Sequence, residues 1–176
     1  MDIYFDTFSG ICGNLILGSL LEAGVRIDLL EKKLSKLGIN DEFELVSRQV
    51  YKKEIAGNYV QVKVKDEPAA AQIFKNGKVP SRNYSDIKKL IKDSNLKTRV
   101  KERSLEIFGR LAAVEAEIHG KTRNELFFHE DGAVDTIVDI VGSVIAFDLL
   151  NIERIYSSPI PTGFGVTKCR HGQIPI

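Results

Sequence analysis

Residues 127–142 read FFHEDGAVDTIVDIVG. From Val134 onward, large aliphatic side chains recur so densely that the segment predicts a helix buried around most of its circumference, from Ala133 to about Leu150. Such a helix belongs in a hydrophobic core. On a 3.6-residue period Asp135, Asp139, Gly142 or Ser143, and Ala146 share one stripe, while Val134, Ile137, Val138, Ile140, Val141, Val144 and Ile145 cover the rest. Two carboxylates a helical turn apart repel each other and resist burial, so they call for a cation, a basic side chain, backbone N–H groups or solvent. His129 and Glu130 stand just ahead of the helix and add nitrogen and oxygen donors suited to a divalent transition metal, Mg or Mn. The competing reading makes the stripe the wetted side of the helix, and HExxxxxDxxxD is not by spacing a named metal motif.

The start of the chain reads as a strand, a glycine-containing turn and a helix, with IYFD followed by FSGICGNLILGSLLEAGV. Next, IDLLEKKLSKLG predicts a second helix stopped by Gly38. FELVSRQV and YVQVKV alternate as strands, with AGN between the two runs, and predict an antiparallel pair. Residues 66–83 lose any period and carry two prolines and a glycine, the signature of a linker or mobile loop. A helix follows with Ser85 as its expected N-cap, then a long amphipathic helix ending near Gly120, and after the 133–150 helix come short strand-like pieces. The fold class expected is α+β, or α/β if the first strand joins a parallel sheet: a short mixed sheet with packed helices.

Composition narrows the function classes. The 176 residues suffice for one domain with a real core, and the balance of 43% hydrophobic and 28% charged residues is that of a soluble globular protein. No apolar run reaches the roughly 18 residues of a membrane span. A net charge of +1 gives no bulk attraction for nucleic acid or an anionic membrane. The MDIYFD start lacks a secretion signal, so a cytoplasmic address and free thiols at Cys12 and Cys169 are expected.

Two further stretches carry candidate chemistry. Asp6 closes the first strand, and Gly10 and Gly13 let the following turn approach a ligand, with the helix N-terminus offering N–H groups to an anion. The pattern lacks the Lys-Ser/Thr of a P-loop and the third glycine of a dinucleotide fingerprint. Cys12, near that helix start, is either a reactive or ligating thiol or a small packing residue. In GFGVTKCRHG, a strand over VTKCRH would set Cys169 and His171 on one face, a thiolate beside an imidazole that suits nickel, zinc or copper. Glu115 and His119, one turn apart, read as ordinary helix support.

Taken in order, DTFSGICGN, RLAAVEAEIHG, FFHEDGAVDTIVDIVG and PTGFGVTKCRHGQIPI resemble, over the whole chain, the nickel-insertion proteins of nickel-pincer cofactor biosynthesis, the LarC family. The resemblance implies a lyase of the metal-chelatase type that delivers Ni2+ into pyridinium-3,5-bisthiocarboxylic acid mononucleotide, in a CTP-dependent reaction using Mg2+ or Mn2+. Asp6, Ser9, Gly10 and Gly13 match its first motif, His129, Glu130, Gly132, Asp135 and Asp139 its second, and Cys169, His171 and Gly172 its third. It implies catalytic roles for Asp6, Glu130 and Asp135, cofactor-binding roles for Ser9, Gly10 and Gly13, and metal ligation by His129, Asp139, Cys169 and His171. Asn14 stands where the family pattern has aspartate, Cys12 where it has serine or alanine, and Asp131 where it has an apolar residue. Residues 66–83 lack the histidine-rich loop of many relatives.

The resemblance also implies that residues 1–176 are one N-terminal domain of a longer architecture, whose nucleotide-associated C-terminal domain, with the CTP site, lies outside them. That domain, or a separate chain carrying it, becomes an expected partner, a homo-oligomer is compatible, and the isolated piece is expected to be incomplete in activity. Two readings from other classes compete: a non-catalytic assembly domain whose acidic stripe is a structural network, and a Mg-dependent phosphohydrolase-like enzyme using Asp6 with Asp135 and Asp139.

Overall fold

The computed structural model describes residues 1–65, 82–123, 126, 134–169 and 172–175, with Cys169 described in its backbone alone. In chain order the elements are β1 (Asp2–Phe5), α1 (Gly13–Glu22), α2 (Ile27–Leu34) continued by a 3-10 turn (Ser35–Leu37), β2 (Phe43–Lys52) and β3 (Ile55–Val64). They continue as α3 (Tyr84–Asp93), α4 (Thr98–His119), α5 (Val134–Leu149), β4 (Arg154–Ser157), β5 (Val166–Cys169) and β6 (Gly172–Pro175). This is a mixed α/β arrangement of short sheets and packed helices, opening with the expected strand, turn and helix. Among the described residues no helix is long and apolar enough to cross a membrane.

The aliphatic run of α5 forms the buried helix that its spacing predicts, and the structure makes it the central one. Val134, Ile137, Val138, Val141 and the residues from Gly142 to Ala146 are buried, and α1, α2, α4 and β3 all pack on it. Leu17 and Leu20 of α1, Leu30 and Leu34 of α2, Val60 of β3 and Phe108 of α4 close around it, each fully or nearly fully buried. Each such side chain contributes about 1.5–3 kcal/mol by leaving water. Two small residues set the helix spacing. A Cβ on Gly142 would come 3.3 Å from a Leu17 methyl, whereas one on Gly18 would lie 2.6 Å from the Asn58 carbonyl oxygen of β3. A leucine tip can turn aside and a backbone carbonyl cannot. Gly18→Ala is therefore expected to cost about 1–3 kcal/mol in chemical denaturation, and Gly142→Ala less than half of that.

β1 and β4 pair in parallel, from Asp2 opposite Arg154 to Phe5 opposite Ser157, while β2–β3 and β5–β6 are antiparallel. The β2–β3 turn falls on Lys53 and Glu54, both at positive φ (49° and 67°) as a two-residue hairpin turn requires, and not on AGN. Ala56, Gly57 and Asn58 instead lie inside β3, opposite Tyr51, Val50 and Gln49. Their small size serves the crossing of α1, where Gly18 approaches the Asn58 carbonyl and the Asn58 amide donates to Glu22 Oε2 at 2.6 Å.

Asn83, not Ser85, caps α3. Its Oδ1 accepts from the Asp86 N–H at 2.8 Å while Asp86 Oδ2 accepts from the Asn83 N–H at 3.1 Å, a reciprocal box that a serine two positions later cannot form. The helices read as stopped by Gly38 and Gly120 end there, both glycines being left-handed. Of the stretch expected to be a loop over residues 66–83, residues 66–81 lie outside the described residues. Arg82, at its end, pairs with Glu42 at 2.6 Å.

Candidate functional site

The parallel β1–β4 pair decides which ends meet. α1 leaves from the C-terminal end of β1, and α5 runs down into β4, so the start of α5 lies at the same end as the start of α1. In open α/β arrangements that end of the strands is where ligands bind. The loop leaving β1 is tied there. The Thr7 N–H donates to Ser158 Oγ at 2.8 Å, the two hydroxyls lie 2.9 Å apart, and Thr7 Oγ1 donates to the Pro159 carbonyl at 3.3 Å. The Gly10 N–H returns to the Thr7 carbonyl at 2.9 Å, closing a turn in which Gly10 takes φ +90°. Asp6 and Ser9 stand exposed on this anchored loop.

The carboxylate stripe of α5 runs from solvent into the core. Asp135 is exposed, with Oδ1 accepting from the Thr136 N–H at 2.8 Å; Asp139 is half-buried; Gly142, Ser143 and Ala146 are buried. It is therefore not simply a wetted face. Asp139 lies against Gly13, where an added Cβ would meet Asp139 Oδ2 at 2.4 Å and its Cβ at 2.5 Å. Asp139 Oδ1 is buried and has no hydrogen-bond partner among the described residues. Burial, and secondarily the charge of Asp135, pushes its carboxyl up from 3.8 to about 6. The Cys12 residue that caps α1 makes no side-chain bond to the helix's N–H groups, its thiol donating instead to Asn14 Oδ1 at 2.7 Å. The partial positive charge of that helix start favours an anion beside Gly13, yet desolvation prevails, and among the described residues Asp139 has no counter-charge.

The structure thus sets Asp139 against Gly13, with Asp135 one turn before it on α5, and Asp6, Ser9 and Gly10 on the loop that leads to α1. No hydrogen bond among the described residues links Asp6 or Ser9 to either α5 carboxylate. His129, Glu130, Gly132 and His171 lie outside the described residues, as does the side chain of Cys169. Among the described residues no three His, Cys, Asp or Glu side chains cluster to hold a metal ion. Glu115 and His119 meet at 3.3 Å as an i,i+4 pair, the helix support expected of them. Sequence reasoning missed Thr7 and Ser158, which fix the loop; a hydroxyl pair just past each of two strand ends was the available signal.

A family model described as "Nickel insertion protein" matches residues 3–176. The chain is 44% identical over 173 residues to the pyridinium-3,5-bisthiocarboxylic acid mononucleotide nickel insertion protein of Desulfitobacterium hafniense, covering 98% of this chain and 40% of that protein. Proteins of the same name from Acetivibrio thermocellus (40% identical; 99% of this chain, 42% of that one) and Clostridium kluyveri (39%; 99% and 44%) are similar as well. The chain therefore spans about two fifths of the length of the curated relatives it matches, and no solved structure matches it. With four ordered motifs and a family match over nearly all of its residues, the chain belongs to the nickel insertion protein family.

Proposed function

We propose that the chain is the N-terminal portion of a protein that inserts nickel into pyridinium-3,5-bisthiocarboxylic acid mononucleotide, with nickel as its cargo. The observation that carries this reading, beside family membership, is Asp139: a carboxylate seated on Gly13 with a buried oxygen unpartnered among the described residues and a negative neighbour in Asp135. A divalent cation removes both penalties, supplying the missing partner and offsetting the repulsion. In this reading Asp139 is an oxygen ligand, exposed Asp135 draws the cation in, and His129, Cys169 and His171 supply the softer donors that nickel prefers. The anchored loop with Asp6, Ser9, Gly10 and Gly13 faces the organic precursor, Glu130 and Asp6 serving proton movement there.

CTP with its Mg2+ or Mn2+ goes in this reading with the C-terminal portion of the longer architecture. A cytoplasmic setting goes with the reading, because a cysteine ligand must stay reduced. The test is nickel equilibrium dialysis, joined to an insertion assay in which the C-terminal portion is supplied. His129→Ala with Cys169→Ala is expected to weaken nickel retention by about tenfold or more and to stop insertion. Unchanged retention and unchanged insertion in that double variant would sink the assignment.

A further inference from the structure

We infer that the outer face of β1–β4, together with the β5–β6 hairpin, is the surface on which the C-terminal portion of this family's architecture docks. The first reason is the sheet. Purely parallel sheets are covered on both faces, but among the described residues this pair is covered on one. Ile3 and Phe5 face inward, Phe5 meeting Phe147 edge to face at 6.2 Å between ring centroids. On the other side Tyr4 and Tyr156 stand directly opposite each other and exposed.

The second reason is the hairpin. β5 and β6 pair with each other and pack substantially on no other described element, and a lone two-stranded hairpin is marginal in water. Phe164, just before it, is 94% exposed, and Ile160, Val166 and Ile174 are exposed as well. Large apolar side chains left bare at this density mark an interaction surface.

The third reason names the occupant. The relatives are more than twice as long as the matched region, and this chain corresponds to their N-terminal portion. The bare surface follows the chain from β4 through β6, the last elements of that portion, so the segment that comes next in the relatives is the nearest polypeptide able to cover it. The inference rests on family membership and needs no nickel, so the activity proposed above can fail without it.

The test joins this chain at Ile176 to the C-terminal portion of the Desulfitobacterium hafniense relative and compares hydrogen–deuterium exchange with the chain alone, in nickel-free buffer. Amides of β1 and of residues 154–175 are expected to exchange about tenfold more slowly or better in the joined protein. Tyr156→Asp with Phe164→Asp, both exposed and so tolerated by the core, is expected to abolish that protection, whereas Ile55→Asp at the tip of β2–β3 leaves it intact. Unchanged exchange in the joined protein overturns the inference. So does equal protection in the chain alone that grows with its concentration, which would assign the surface to a second copy.

Discussion

Asp139→Asn is expected to raise thermal stability at pH 7.5 while removing nickel binding. The carboxyl of Asp139 titrates near 6 in the folded chain against 3.8 for an ordinary aspartate, so between those values the native state holds a proton that the unfolded state has released. Stability therefore falls as pH rises through this window, and above about pH 6 the folded chain carries an ionised group it disfavours. Asparagine keeps the shape and drops the charge. Discounted for partial exposure, the gain at pH 7.5 is of order 1–2 kcal/mol, or about 2–8 °C in Tm, and it fades below about pH 4. The measurement is Tm against pH for both proteins, with and without nickel. Nickel is expected to raise Tm for the parent and not for the variant. If Asp139→Asn melts lower than the parent at pH 7.5, the carboxylate is a satisfied structural group and the cation-site reading fails.

Gly13→Ala carries the second large effect, for a steric reason. The new methyl would lie 2.4 Å from Asp139 Oδ2, which a rotamer change could relieve, but also 2.5 Å from Asp139 Cβ, which no rotamer moves. Contact at an ordinary separation demands that α1 and α5 part by roughly an ångström at this end, unseating Leu17 from Gly142 along the same interface. Overpacking of this kind costs about 2–4 kcal/mol, and Tm is expected to drop by about 4–12 °C. Nickel retention should fall with it, because the carboxylate is displaced from its seat. Stability unchanged to within about 0.5 kcal/mol would show that the helix contact is not tight at Gly13.

The two variants are expected to move stability in opposite directions while both weaken nickel binding. That contrast separates the proposed site from a purely structural network, in which losing Asp139 or crowding Gly13 would each destabilise. It also fits the general pattern in which functional groups are kept at a cost to the fold.

Much of the architecture was legible because it depends on periodicity. The aliphatic density of residues 134–149, the leucine spacing of α1 and α2, and the alternation of β2 and β3 each follow from which face must leave water. The hairpin turn was misplaced because AGN looks like a turn, while its smallness answers to a helix passing over it, a requirement invisible along the strand itself. The cap of α3 was displaced by two residues because serine is a good cap in isolation, and only the reciprocal Asn83–Asp86 bonds decide between neighbours. In the site, the sequence pointed to Gly10 and Gly13 as residues that let the turn approach a ligand; the structure adds that the Asp139 carboxylate lies against Gly13.

The sequence by itself determined that α5 forms, that Asp135 and Asp139 lie one turn apart on it, and which family's motifs surround them, since these depend on local spacing and residue type. Only the tertiary structure decided that the stripe sinks into the core instead of facing water. The parallel pairing of β1 with β4 brings the starts of α1 and α5 to one end, and the absence of a side chain at Gly13 lets Asp139 settle there with one oxygen unpartnered among the described residues. Burial and counter-charge are properties of the neighbours that the fold supplies, and they are what turn an acidic residue on a helix into a candidate seat for a metal ion.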